Sequence, residues 1–359
     1  MQATRTRAPA PTRAPEAHRP VAVTGIQSSG RPHLGNYLGM IRPALALAGE
    51  HEPFFFIADA HALTTTRDGA AMRRHTHELA ATWLALGADP RRMALYRQSD
   101  LPEVYELTWV LACHAGKGLL NRAHAYKAAT EANRAAGRPA DQGIHAGLFA
   151  YPLLMTADIL VLGAEVVPVG RDQKQHVEIA REIADAFNAA HGPVLVPPRV
   201  RIDERVATIP GLDGRKMSKS YGNTLPIFAE PDELRALVAR IVTDSRPPHE
   251  PKDPDSCRLF AFYRQLAQPA QVAAMRARYL EGGLAYREVK EELVELLDAA
   301  FGPARRAYQA LLADPAELDR VLAAGALRAR ERAAVVMARV RDATGLRAAS
   351  APPQPVPPS

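Results

Sequence analysis

From residue 21 to residue 189 the chain alternates short apolar runs with segments of helical period, and this alternation most narrows the folds open to it. Val21-Ala-Val-Thr-Gly25 reads as a buried strand ending at a glycine. Leu34, Leu38, Ile41 and Leu45 then give residues 33–48 a helical spacing. Phe54-Phe-Phe-Ile-Ala58 is a second strand ending at Asp59, 69–86 a helix, and Met93-Ala-Leu-Tyr96 a third strand. Helix-like segments cover 102–118 and 146–162, Glu165-Val-Val-Pro-Val169 reads as a further strand, and 172–189 as a helix. Strands alternating with helices predict an α/β unit, a mostly parallel sheet covered on both faces. In such sheets ligands bind outside the carboxyl ends of the strands. Beyond residue 230 only helical periods appear, over 231–243, 257–267, 270–280, 284–298, 303–313 and 316–342. An all-helical unit is therefore expected to follow the sheet.

A length of 359 residues fits two domains. No apolar run approaches the roughly 18 residues that span a bilayer, so no membrane partner is expected. Cys113 and Cys257 are too few and too far apart for a disulfide scaffold or a cysteine zinc site, which fits a reducing compartment. Nine of the 30 prolines fall in residues 1–20 and 347–359, and both ends read as disordered tails. The prolines argue against an amphipathic transit peptide, and a secretory apolar core is missing. Arg5, Arg7, Arg13 and Arg19 against Glu16 put +3 of the formal +6 charge in the first tail. The remaining +3 is too mild to establish a polyanionic partner.

Two segments carry chemistry. Thr24-Gly-Ile-Gln-Ser-Ser-Gly-Arg-Pro-His-Leu-Gly-Asn-Tyr-Leu-Gly39 joins the first strand to the first helix. Gly25 and Gly30 permit tight turns, Ser28 and Ser29 supply hydroxyls, and the helix N-terminus offers N–H groups suited to phosphate. His33 and Asn36, three residues apart, share a face. The glycines fit neither the dinucleotide fingerprint nor a Walker A loop. Spacing alone leaves both a nucleotide site and a capped turn open. The second segment, Gly211-Leu-Asp-Gly-Arg-Lys-Met-Ser-Lys-Ser-Tyr-Gly-Asn223, combines three glycines with Arg215, Lys216 and Lys219. By itself it reads as an anion clamp or as a solvated turn. Pro-His-Leu-Gly-Asn paired with Lys-Met-Ser-Lys-Ser is far more specific: it resembles the paired signatures of class I aminoacyl-tRNA synthetases.

The resemblance narrows to bacterial-type tryptophanyl-tRNA synthetases. It rests on Gly25-Ile-Gln-Ser-Ser-Gly with His33-Leu-Gly-Asn-Tyr-Leu-Gly, on Phe56-Ile-Ala-Asp-Ala-His61, and on Tyr151-Pro-Leu-Leu-Met-Thr-Ala-Asp-Ile-Leu160. Val167-Pro-Val-Gly-Arg-Asp-Gln-Lys-Gln-His176, Thr243-Asp-Ser245 and Val321-Leu-Ala-Ala-Gly-Ala-Leu-Arg-Ala-Arg330 extend it over residues 21–346. Asn36 in place of a second histidine is normal for this family. Ala60, Arg171 and Tyr221 depart from the glutamine, glutamate and aspartate common there. The resemblance implies a Rossmann-like catalytic domain over 21–225, a helical anticodon-binding domain over 226–346, and tails at 1–20 and 347–359.

It also implies the reaction: L-tryptophan is activated by ATP, diphosphate leaves, and the aminoacyl group passes to tRNA(Trp). No covalent nucleophile is needed, so positioning and charge stabilisation carry the catalysis. By resemblance, His33, Asn36, Lys216, Lys219 and, from a mobile segment, Lys127 are the catalytic candidates. Gln27, Ser28, Ser29, Gly35, Gly170, Asp172, Met217 and Ser218 complete an ATP site. Mg²⁺ would arrive on ATP, with no tightly bound cofactor and no protein metal cage. His176 one turn after Asp172 lacks a third ligand, which argues against a metal there.

For tryptophan, Tyr151, Met155 and Asp158 line one helix face, with Ile159 beside them. An indole has one N–H donor and no acceptor. It needs an apolar slot ending in an acceptor, a role suited to Asp158, with Val167 and Val169 as floor. By residue type alone Asp158 reads more readily as a cap or ion-pair partner. His61 and Gln173 are expected near the substrate ammonium. Arg258, Arg264, Arg276 and Arg278 are a solvated face or an RNA face, and Arg328, Arg330, Arg332, Arg339 and Arg341 either meet tRNA or pack back on the sheet. The family works as a cytoplasmic homodimer. Three other readings remain: a tyrosyl-tRNA synthetase, a tryptophan-sensing paralogue that charges no tRNA, and a nicotinamide-dependent oxidoreductase, which the missing fingerprint disfavours.

Overall fold

The computed structural model describes residues 19–27, 30–170, 173–202, 210–218 and 221–346. The predicted strands form a single parallel sheet. β1 (Val21–Ile26) pairs with β2 (Glu52–Ile57) in a register running from Val21↔Glu52 to Ile26↔Ile57. β2 pairs with β3 (Ala94–Arg97), β1 with β4 (Val166–Pro168), and β4 with β5 (Arg199–Arg201). The order β3-β2-β1-β4-β5 reverses direction at β1. A crevice opens beyond the carboxyl ends of β1 and β4 at such a reversal, which is where open α/β sheets bind ligands. Val21, Val23, Phe54, Phe55 and Ile57 are at most 1% exposed, as expected of strands covered on both faces.

The helix predicted over 33–48 is broken. α1 (Leu34–Asn36) runs into a π-turn at Tyr37–Ile41, and α2 (Arg42–Leu47) follows. Pro43 lacks the N–H that a continuous ladder would direct at Gly39, and the ladder resets in the turn before it. Next come α3 (Asp59–Ala62), α4 (Gly69–Ala85) and α5 (Glu103–Ala112). The predicted 102–118 segment ends early, with α6 (Lys117–Asn121) starting after Gly116. α7 (His124–Ala135) precedes α8 (Ala146–Leu160) and α9 (Lys174–His191). Neither α7 nor β5 was expected. The Arg-Val-Arg of β5 has no apolar run to announce it, and it pairs only at the sheet edge.

Among the described residues that follow, the regular elements are helices: α10 (Pro231–Ala239), α11 (Arg258–Leu266), α12 (Pro269–Glu281), α13 (Tyr286–Leu312) and α14 (Pro315–Thr344). α13 runs unbroken through Pro303, where two helices were expected. Helices α10–α13 build a core from Leu234, Val238, Phe260, Phe262, Tyr279, Leu293 and Phe301. Leu34 and Leu38 of the first signature and Met217 of the second belong to the same core.

α14 returns to the sheet. Ala326, Ala329, Ala333, Val336, Met337 and Val340 pack with Leu107, Leu160 and Leu162. A Cβ on Gly325 would lie 1.9 Å from the Leu95 carbonyl oxygen, so helix and strand backbones meet directly. Four of its arginines cap that contact. Arg328 donates to Pro90 O, Arg330 to Asp100 O and Arg332 to Leu162 O, and Arg341 pairs with Glu106. Of the two roles open for this last helix, the structure has it pack back on the sheet.

Candidate active site

A cavity of about 1500 Å³ opens at the reversal of strand order. Its walls include Thr24, Gly25 and Ile26 from β1 and Val167, Pro168 and Val169 from β4 and the turn after it. Gly25 has a packing reason: a Cβ there would fall 2.2 Å from the Phe56 ring.

On one side stands the first signature. His33 is 7% exposed, and its backbone N–H donates to Asn36 Oδ1 at 3.2 Å. His33, Gly35 and Asn36 all line the cavity, with Gln27 at its rim. Gln27 Nε2 reaches His61 O at 3.4 Å, joining the first loop to α3. The loop is stitched to the segment beyond the lysine motif: Leu34 N donates to Leu225 O at 2.8 Å and Ile227 N to Pro32 O at 3.2 Å.

The second signature is folded on Asn223. Its Nδ2 donates to Asp213 Oδ1 at 2.7 Å and Lys216 O at 3.1 Å, while its Oδ1 accepts from Ser218 N at 2.8 Å. The bond from Asn223, joined by those from Arg215, holds the Asp213 carboxyl down to a pKa of about 2. Gly214 has φ +88°, and a Cβ there would strike Arg258 Nε at 2.3 Å. The Arg215 guanidinium lies 4.5 Å over the Tyr221 ring. Lys216, Met217 and Ser218 reach the cavity wall. Met217 is buried, and its sulfur accepts the Gly35 N–H at 3.3 Å. The two signatures are thus in direct contact across one wall. Four expected residues, Ser28, Ser29, Asp172 and Lys219, lie outside the described residues.

The opposite end is the apolar slot. Tyr151, Met155, Ile159, Val167, Val169, Gln173 and His61 line it, and Gly170 completes the wall. Asp158 lies one layer behind at 2% exposure, where His61 Nε2 meets its Oδ2 at 3.0 Å. Burial pushes the Asp158 carboxyl up, and the hydrogen bond from His61 opposes that. Gln98, fully buried just after β3, directs its Nε2 to both Asp158 oxygens at 2.9 Å. Sequence reasoning missed Gln98, whose one legible signal was its place at the carboxyl end of a strand. It also missed His176 as a wall residue: its Nε2 faces the Tyr151 hydroxyl at 2.5 Å. Among the described residues no group of three or more His, Cys, Asp or Glu side chains gathers as a metal site.

Lys127 is not on this cavity. It stands on the exposed side of α7, 3.8 Å from Glu131, in a separate groove with Arg122, Tyr126 and Arg134. The helical spacing that sends Ala125 into the cavity turns Lys127 away from it.

A family model described as class I tRNA synthetases (W and Y) matches residues 16–302. The chain is 52% identical over 335 residues to the tryptophan–tRNA ligase of Pseudomonas aeruginosa, covering 92% of this chain and 75% of that one. It is also 52% identical over 329 residues to the tryptophan–tRNA ligase of Xanthomonas campestris, covering 90% and 76%. In structure it superposes on the tryptophanyl-tRNA synthetase of Campylobacter jejuni, solved with ADP and tryptophan. The TM-score is 0.82 at 40% identity, over 91% of this chain and 100% of that one.

Proposed function

The chain belongs to the class I tRNA synthetases for tryptophan and tyrosine, and from that premise we propose that it joins L-tryptophan to tRNA(Trp) at the cavity described above. The tryptophan carboxylate attacks the α-phosphorus of MgATP, a phosphorus–oxygen bond to diphosphate breaks, and tryptophanyl-adenylate forms. A ribose hydroxyl of the terminal tRNA adenosine then attacks the activated carbonyl, and AMP leaves. Neither step requires a covalent enzyme nucleophile, so the residues' work is to place donors and cations around developing charge.

The observation that carries this reading is the contact of the two signatures through Gly35 and Met217, beside an apolar slot backed by one buried carboxylate. In our assignment His33, Asn36, Gln27, Gly35 and Gly170 bind ATP, with Ser28, Ser29 and Asp172. Lys216, Met217, Ser218 and Lys219 close on the departing diphosphate. Tyr151, Met155, Ile159, Val167 and Val169 enclose the indole, Gln173 borders its amino-acid end, and Asp158, bonded to the wall residue His61, is the acceptor behind them. Mg²⁺ enters as part of the nucleotide substrate.

Helices α10–α13 are assigned to the anticodon. α14 is not, because Arg328, Arg330, Arg332 and Arg341 are spent on carbonyls and carboxylates of the sheet unit. A homodimer is supported by the exposed Tyr105 and Trp109, one turn apart on α5, with Leu63 also exposed. We assign this work to the cytoplasm, as for a ligase acting on the cell's general tRNA pool. Charging of tRNA(Trp) with labelled tryptophan tests the reading: acylation supports it, and adenylate formation without acylation would leave a tryptophan sensor instead.

A further inference from the structure

Gln98 is an uncharged, fully buried polar side chain that no surface role explains. Its amide orientation is fixed by its neighbours. Oε1 lies 3.2 Å from the backbone nitrogen of His61, which can only donate. The Nε2 end therefore faces Asp158, where it lies 2.9 Å from both carboxylate oxygens. A flipped amide would set an oxygen against a carboxylate and a donor against a donor. Gln98 thus ties three elements at one point: the end of β3, the single turn of α3, and the last turn of α8.

The donor count at this point is informative. His61 Nε2 occupies Oδ2 of Asp158, and Gln98 holds both oxygens from one side. Oδ1 has a single partner among the described side chains and keeps accepting capacity for one more donor. Meanwhile the donors of His61 Nε2 and Gln98 are directed at the carboxylate. An indole N–H matches a site with an acceptor and no donor to offer. A phenol oxygen can donate to Asp158 but then finds its lone pairs without a partner, which is costly in a buried slot.

Resting on the assignment of Asp158 as the indole acceptor, we propose that Gln98 is the positioning residue that orients this carboxylate and, by committing its amide hydrogens to it, sets selectivity for tryptophan over tyrosine. Gln98 acts through Asp158 and does not touch the reacting atoms. Titratable groups facing the same point are His61 on α3, Asp59 at the start of α3, Tyr96 on β3 and Tyr105 on α5.

The test is amino-acid-dependent ATP–diphosphate exchange by the full-length protein with tryptophan and with tyrosine, for wild type, Gln98→Met, Gln98→Glu and Asp158→Asn. Thermal unfolding and KM for ATP serve as controls. Gln98→Met keeps the volume and removes the amide. It should raise KM for tryptophan about 10–100-fold and lower the tryptophan-to-tyrosine ratio of kcat/KM by a similar factor, with KM for ATP within twofold. Gln98→Glu keeps the acceptor for the His61 N–H but sets a second carboxyl against Asp158. A shared proton can replace the lost N–H, so its kcat/KM for tryptophan relative to wild type should rise as pH falls from 8 to 6. A merely structural role moves neither the selectivity ratio nor this relative pH profile. Folded Gln98 variants that keep wild-type selectivity while Asp158→Asn loses tryptophan would overturn the role of Gln98 alone. Asp158→Asn with unchanged tryptophan kinetics would overturn the acceptor assignment on which it rests.

Discussion

The N–H of Gly35 donates to the sulfur of Met217 at 3.3 Å, joining residues 182 apart in the chain. A Cβ on Gly35 would lie 3.1 Å from the His33 ring and 3.3 Å from that sulfur. The position therefore serves as a seam between the two signature loops, to which we assign the phosphates of ATP. Gly35→Ala should leave the fold intact, because the contacts are with side-chain ends, yet displace both signatures by a few tenths of an ångström. Misplacement on that scale lowers catalysis strongly. The expected result is a fall of about tenfold or more in the single-turnover rate of adenylate formation, with tryptophan affinity little changed, measured by rapid quench and equilibrium titration.

Asn223 organises the lysine loop through three hydrogen bonds, to Asp213, to Lys216 O and from Ser218 N. Asn223→Ala should slow adenylate formation by about tenfold, on the scale of a lost hydrogen bond or two. The binding of tryptophan, which we assign to the far end of the cavity, should not follow. Steady-state exchange with each substrate varied separately distinguishes the two effects.

The same network sets a pH dependence. Asp213 titrates near 2 in the folded chain, chiefly because Asn223 and then Arg215 donate to it. Its unfolded value is about 3.9. A carboxyl depressed in the fold stabilises it above the unfolded pKa, and that contribution is lost as pH falls from about 4 through 2. An NMR titration should place the Asp213 midpoint near 2 and move it upward in Asn223→Ala. A midpoint that does not move would remove Asn223 as the leading cause.

Gly325 tests how α14 is held. With the Leu95 carbonyl oxygen 1.9 Å from any added Cβ, Gly325→Ala must push helix from strand. The expected cost is roughly 2–3 kcal/mol from overpacking, read as a lowered Tm. Arg328→Ala on the same helix loses only one exposed bond to Pro90 O and should cost far less.

Asp158 supplies the reciprocal case. Burial raises its carboxyl pKa, so the ionised form is the one the fold holds at a cost. Any stability that Asp158→Asn gains at neutral pH should shrink as pH falls through that raised value, where the wild-type carboxyl is itself neutral. Chemical denaturation of both proteins between pH 7 and 4 measures the trend.

Much of this was legible in the amino-acid order. The strands at 21–26, 52–57 and 94–97 carry apolar runs, and the two signatures, each ambiguous alone, are specific as a pair through the family they resemble. What stayed hidden has physical causes. β5 is short, charged and paired at an edge, so no periodicity marks it. The π-turn at Tyr37–Ile41 arises from hydrogen-bond register, which side-chain spacing does not encode. Lys127 carries the right charge, but its offset from Ala125 along α7 turns it away from the cavity. Gln98 looks like any polar residue ending a strand until Asp158 and His61 are brought to it from 60 and 37 residues away.

The most direct measurement is ATP–diphosphate exchange by the purified wild-type protein with each amino acid in turn. Rapid exchange is expected with tryptophan and, for tyrosine, a kcat/KM lower by about 10⁴-fold, as when a buried polar site is mismatched. Equal exchange with the two amino acids, a preference for tyrosine, or no exchange at all would contradict it.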